Sequence, residues 1–173
     1  PALLAARLAQ AAPARPALTP QQRPDRIPAA AAQRRLWLAE RLSGGDAYHF
    51  PLVVRLRGEL DVAALRLALR DVADRHEVLR TVLVEHDGEP YQRILPPGTQ
   101  PPVTVADCPE AELADRVAAA VARPFDLAAD PPLRADVLRV GPEDHVVAIT
   151  LHHVATDEWS DRPLTRDLSL AYA

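Results

Sequence analysis

The order of elements in this sequence predicts a mixed α/β or α+β fold in one domain, and three observations predict it. An apolar run from Val146 to Leu151 has the composition of a strand buried on both faces, strand and helix patterns alternate irregularly along the chain, and no internal repeat interrupts them. At 173 residues with 48% hydrophobic content, the chain is long enough to bury a sizeable core.

Composition narrows the function classes. The net charge is −4, all twenty basic residues are arginine, and no basic block tracks a phosphate backbone, so a nucleic-acid partner is not expected. The single cysteine, Cys108, allows no internal disulfide, and neither a signal peptide nor a long uncharged apolar span is present, which makes a cytoplasmic, bacterial protein without membrane attachment the expectation. A chain that opens on Pro1 without methionine reads as a piece of something longer.

Residues 1–10 (PALLAARLAQ) place Leu3, Leu4 and Leu8 on one face of a short amphipathic helix. Residues 11–28 carry Pro13, Pro16, Pro20, Pro24 and Pro28, a spacing that opposes regular structure and suits an extended tether or an unstructured tail. A helix is predicted over 29–42, with Leu36, Trp37, Ala39 and Leu42 supplying its apolar surface. A strand with one buried face is predicted over 50–60 from the alternation of Leu52, Val54 and Leu56 with Val53, Arg55 and Arg57. Asp61 caps a helix running to about Glu77 along Leu65, Leu69, Val72 and Ala73.

Strands over 78–85 and 91–95 flank His86-Asp87-Gly88, a hairpin turn signal. Arg75, His76, Glu77 and Arg80 stand at the junction before them, either as a solvated corner or with a buried arginine that needs a carboxylate. A short strand at 103–105, a helix over 109–123, and a hairpin of 133–140 with 145–151 follow. The chain then reaches LHHVATDEWS, after which a last helix carries Leu164, Leu168 and Ala171 on one side.

That stretch holds the candidate chemistry. Successive side chains on a strand point to opposite faces, so His152 and His153 do not serve one small site together. Either histidine suits a satisfied core position as well as a catalytic one. A zinc site needs three or four convergent ligands, which a diverging pair does not supply. A Ser160–His153–Asp157 triad is weak, because Ser160 lacks a Gly-flanked elbow and, ahead of Asp161-Arg162-Pro163, suits a helix N-cap.

Three blocks then coincide, in order and spacing, with one family. Ala32-Gln33-Arg34-Arg35-Leu36-Trp37-Leu38, Arg75-His76-Glu77-Val78-Leu79-Arg80-Thr81, and the HHxxxD of His152 to Asp157 resemble the motifs of a condensation domain of a nonribosomal peptide synthetase. The resemblance runs from about Pro28 to the last residue, and Arg123 to Leu127 and Leu164 to Tyr172 resemble the family's connecting segments.

The resemblance implies a chloramphenicol-acetyltransferase-like lobe over 29–173, one of two in the full domain, with the C-terminal lobe outside this chain. Residues 1–10 then resemble the end of a preceding peptidyl carrier domain, and 11–28 the interdomain linker. The implied function is peptide bond formation between a donor acyl thioester and an acceptor aminoacyl thioester. Both are carried on phosphopantetheine arms of carrier domains that are not attached to this chain, with an adenylation domain adjacent and no metal.

His153 matches the family's catalytic second histidine, as a base or as a group that positions the amine. His152 is implied to be structural. Asp157 is implied to brace the site through an arginine, with Arg75, Arg80 or a residue of the other lobe as partner. Glu158 stands where the family has glycine, and with Trp159 and Ser160 it forms the set of tunnel or gating candidates. Two alternatives accompany this reading: a condensation-like domain without chemistry that recruits tailoring enzymes, and a coenzyme A-dependent acyltransferase of the same superfamily.

Overall fold

The computed structural model describes residue 19, residues 22–43 and residues 46–173. The expected carrier-domain end at 1–10 and most of the linker at 11–28 lie outside the described residues. The final part of that linker is not free of regular structure. Ile27–Pro28 forms a short strand, β1, that pairs antiparallel with β4 (Glu89–Ile94), and Arg23 reaches Glu77 at 2.6 Å. A proline tolerates this place because β1 is an edge strand and needs no N–H from it.

The main sheet has four strands in the order β2 (His49–Arg57), β7 (Asp144–His152), β6 (Leu133–Gly141) and β5 (Val103–Asp107). β7 pairs antiparallel with both β2 and β6, while β5 runs parallel to β6. The parallel pair needs a crossover, which a 3₁₀ turn (Glu110–Glu112) and helix α3 (Leu113–Ala122) provide. α3 stops where it does because Arg123 precedes Pro124 and takes the extended ψ of 122° that such a position favours.

A second sheet holds β1, β4 and β3 (Thr81–His86). Its β3–β4 hairpin closes on Asp87 and Gly88, with φ of 52° and 80°. These are the two left-handed positions that an Asp-Gly turn accommodates.

Alternation along the central strands builds the core. Leu133, Ala135 and Val137 of β6 stand across from Leu151, Ile149 and Val147 of β7. All six pack under Leu65, Leu69 and Val72 of α2 (Val62–Arg75) and Leu164 of α4 (Asp161–Tyr172). The opposite face carries Leu138 and Val146 against Cys108 and the apolar side of α3. α1 (Ala31–Ser43) covers a third cluster of Leu83, Phe125, Leu127 and Val154 with Leu36 and Trp37. Asp61 caps α2 as anticipated, accepting from Ala63 N at 2.8 Å and Ala64 N at 3.0 Å.

Two local expectations change. The segment 77–80 is a 3₁₀ turn, not strand, because Leu79 N bonds His76 O and the Thr81 hydroxyl bonds Glu77 O at 2.6 Å. β2 buries only its beginning: Val54 and Leu56 remain 37% exposed on an edge strand that has a neighbour on one side only.

The core predicts a measurable contrast. Leu69→Ala, at a fully buried position, is expected to lower unfolding stability by about 3 kcal/mol. Leu170→Ala, at an exposed one, should change it by less than about 0.5 kcal/mol in the same urea titrations.

Candidate functional site

β7 delivers the chain to the site, and its last residue decides the arrangement. His152 ends the strand on the face turned away from α2 and α4. Its backbone N–H is bonded to Pro132 O, and that of His153 to Tyr48 O. The two rings therefore enter different surroundings, as strand alternation requires.

His152 is fully buried among Tyr48, His49 and Phe125, with ring centroids 5.8 Å from both His49 and Phe125. Its Nδ1 accepts a hydrogen bond from Val154 N at 3.1 Å, which places the proton of the neutral ring on Nε2. Burial, reinforced by His49, His153 and Arg134, pushes its pKa down to about 4, so the ring is neutral at pH 7. Phe125 is itself held by Arg134, whose guanidinium lies 3.9 Å above it. The same guanidinium donates to the Ala120, Val121 and Arg123 carbonyls that α3 leaves open at its C-terminal end, and to that of Pro124 just beyond it.

His153 is only half buried and lies beside Phe50. Its Nδ1 is 3.2 Å from the Thr156 carbonyl, and a carbonyl can only accept, so Nδ1 carries the proton and Nε2 presents a lone pair. The loop between the histidines and α4 is tied down from a distance. Gln33 of α1, 8% exposed, donates from Nε2 to Val154 O at 3.3 Å and accepts from Ala30 N at 2.9 Å. The first sequence block thus serves the third directly.

Asp157 does not make the arginine bridge anticipated for it with Arg75 or Arg80. It is exposed, and its Oδ1 accepts from the Ser160 hydroxyl at 2.7 Å and from Trp159 N at 3.1 Å. The two arginines have other partners. Arg75 Nε is 2.9 Å from Asp167 on α4, and Arg80, 5% exposed, bonds the Leu95 carbonyl and lies 3.4 Å from Glu77 and 3.8 Å from Asp74. Asp167 also accepts from His76 Nε2 at 2.8 Å and from Arg166 at 2.9 Å, and these neighbours hold its carboxyl below the usual range. The second sequence block therefore clamps α2 and the 3₁₀ turn to α4, and does not reach Asp157.

Ser160 stands at the N-cap position of α4 but makes no side-chain cap bond, because its hydroxyl is engaged by Asp157. The same engagement removes the Ser160–His153–Asp157 triad: the serine donates to the acid, and His153 Nδ1 faces Thr156. Glu158 is exposed and its φ is not positive, so the departure from glycine strains no backbone. Trp159 is 85% exposed. A hollow of about 220 Å³ lies behind this loop among Leu79, Leu151, Thr156, Asp157 and Leu164. His76 is on its wall and His153 is not.

Gln33, Thr156, Glu40 and His49 were not singled out by sequence reasoning. Only Gln33 had a visible signal, as a polar residue on the apolar side of a helix. Among the described residues no group of three potential metal ligands comes together, and no helix is long and apolar enough to cross a membrane.

The two-sheet lobe, with a histidine pair at the end of its central strand, is chloramphenicol-acetyltransferase-like. Residues 24–173 match the family model of the condensation domain, and the chain belongs to that family. It is 49% identical over 176 residues to a probable non-canonical nonribosomal peptide synthetase, CymA, of Salinispora arenicola, covering 100% of this chain and 2% of that protein. It is 47% identical over 172 residues to a dimodular nonribosomal peptide synthase of Bacillus subtilis, covering 98% and 7%.

Among solved structures, the complex of the X-domain and OxyB from teicoplanin biosynthesis matches with a TM-score of 0.85 at 39% identity, over 94% of this chain and 35% of that one. The first condensation domain of the calcium-dependent antibiotic synthetase, in complex with a substrate analogue, matches with 0.71 at 25% identity, over 84% and 37%. The chain thus spans a small fraction of these synthetases.

Two outcomes follow from this geometry. The folded state resists protonation of His152 while the unfolded state does not, so stability present above pH 6.5 should fall as pH drops toward 4, by roughly 3 kcal/mol in total. His152→Asn, which removes the titrating ring, should flatten that part of the profile in urea unfolding at stepped pH. Asp157→Asn keeps a side-chain acceptor for Trp159 N and leaves no buried cation without a partner, so its stability should stay within about 0.5 kcal/mol of the original.

Proposed function

We propose that this lobe contributes the catalytic histidine for amide bond formation between two carrier-bound thioesters. The observation that supports the reading most is the open Nε2 of His153, set by the hydrogen bond from Nδ1–H to Thr156 O at 3.2 Å. An acceptor amine attacks as the free base, its nitrogen forms the C–N bond, the thioester C–S bond breaks, and the thiol leaves with a proton. Nε2 is suited to take the amine's surplus proton and return it to the departing sulfur, or to hold the amine in line by accepting its N–H. His152, neutral and buried, keeps the loop in register without entering the reaction.

The phosphopantetheine arms of donor and acceptor carrier domains would supply the thioesters. The residues fit such a group at the reacting end, where the His153 ring is only half buried and its Nδ1–H is held by the Thr156 carbonyl. An adjoining second lobe and adenylation domain belong to the same proposal.

A second reading has its own support. The likeness to the X-domain found with OxyB is stronger, in TM-score and identity, than the likeness to the calcium-dependent antibiotic condensation domain, and Glu158 replaces the family's glycine. A lobe of this second kind would dock a tailoring enzyme and perform no condensation. The two readings separate on His153→Ala in the synthetase that carries this chain. Amide formation between loaded carriers should fall by about 10²-fold or more if His153 is the base. Unchanged product formation, or none in the unaltered protein together with tight binding of a tailoring oxygenase, would favour recruitment.

A further inference from the structure

Behind the loop, two buried nitrogens have no hydrogen-bond partner among the described residues, in a complementary way. His152 Nε2 carries a proton, because Nδ1 accepts from Val154 N, yet it meets no acceptor within hydrogen-bond reach. His49 is its cross-strand neighbour on β2 and is 8% exposed. Its Nδ1 donates to Val121 O at 2.7 Å, so the Nε2 of the neutral ring is an acceptor, and it too is unpartnered. The rings stand 5.8 Å apart between centroids and do not bond each other. Glu40 of α1 brings a carboxylate oxygen to 3.7 Å from His152 Nε2, and its side chain is 14% exposed.

We propose that one internal water binds here, accepting from His152 Nε2–H and donating to His49 Nε2 and the Glu40 carboxylate, and that Glu40 and His49 are positioning residues for the histidine loop. One donor and two acceptors match the bonding capacity of a single water, and three partners is the usual complement of a buried one. Two buried nitrogens of opposite hydrogen-bonding capacity on neighbouring rings, both without a partner, would be unusual in a packed core.

The arrangement also has a direction. A proton held on Nε2 by the water and Glu40 keeps Nδ1 bare for Val154 N. That amide belongs to the loop segment whose carbonyl is clamped by Gln33 and whose neighbour is His153. Glu40 thus acts on the loop through the tautomer of a ring that never meets substrate.

The test uses the protein labelled with ¹⁵N-histidine, together with a crystal structure that resolves ordered solvent. Long-range ¹⁵N–¹H spectra should show His152 protonated at Nε2 and His49 at Nδ1, with a water in the density within hydrogen-bond distance of all three groups. Glu40→Leu should convert His152 to a mixture of tautomers, whereas Glu40→Gln, which keeps an oxygen acceptor, should preserve Nε2–H. His49→Phe should lose the ordered water. A direct Glu40–His152 hydrogen bond with no water between them would overturn the proposal, as would His152 protonated at Nδ1. So would a His152 tautomer indifferent to Glu40→Leu, since a group that only packs would leave it unchanged. The first two readouts need no substitution and stand even if a variant fails to fold.

Discussion

The two-residue period of β7 is the constraint on which the site depends. β7 lies between β2 and β6, so its register is held on both sides, from His145 against Leu56 and Arg139 to His152 against His49. A slip of one residue would exchange the faces of Val147, Ile149 and Leu151 with those of Val146, Ala148 and Thr150, and would remove three side chains from the cluster under α2 and α4. The same register sends His152 into the interior and leaves His153 at the lip. Packing energy spent along the strand therefore fixes which of two identical side chains is available for chemistry.

Around that strand end, the three sequence blocks do different physical work. The block at Ala32 to Leu38 packs Leu36 and Trp37 beside Val154 and uses Gln33 to satisfy the Val154 carbonyl. The block at Arg75 to Thr81 builds a polar clasp in which Asp167, 8% exposed, gathers Arg75, His76 and Arg166 and joins the end of α2 to α4. A nearly buried carboxylate is tolerated there because every neighbour that reaches it is a donor or a cation. The block at His152 to Asp157 contributes one ring to the core, one to the open side, and an acid that shapes its own turn.

The Asp157 turn keeps the local shaping of the loop apart from its long-range bracing. Asp157 organises Trp159 and Ser160 locally, through bonds of 3.1 and 2.7 Å, and carries no buried countercharge. The long-range brace falls instead to Gln33 and to the His76–Asp167 pair, which approach the loop from different helices. His153 is therefore supported by neutral hydrogen bonds on one side, with the charged clasp of Asp167 at some remove.

Periodicity and punctuation in the sequence determined the helices, the Asp87-Gly88 hairpin, the β6–β7 hairpin, the Asp61 cap and the divergence of the two histidines, because each depends on residues close in the chain. The three blocks also sufficed to indicate the family. Tertiary structure alone decided the partners of charged groups: Arg75 with Asp167, Arg80 with Leu95 O, Gln33 with Val154 O. It also decided the pairing of Ile27–Pro28 with β4. The reason is that a side-chain hydrogen bond between residues 121 or 92 positions apart leaves no period in the sequence; it exists only once two packed elements have brought a donor to an acceptor.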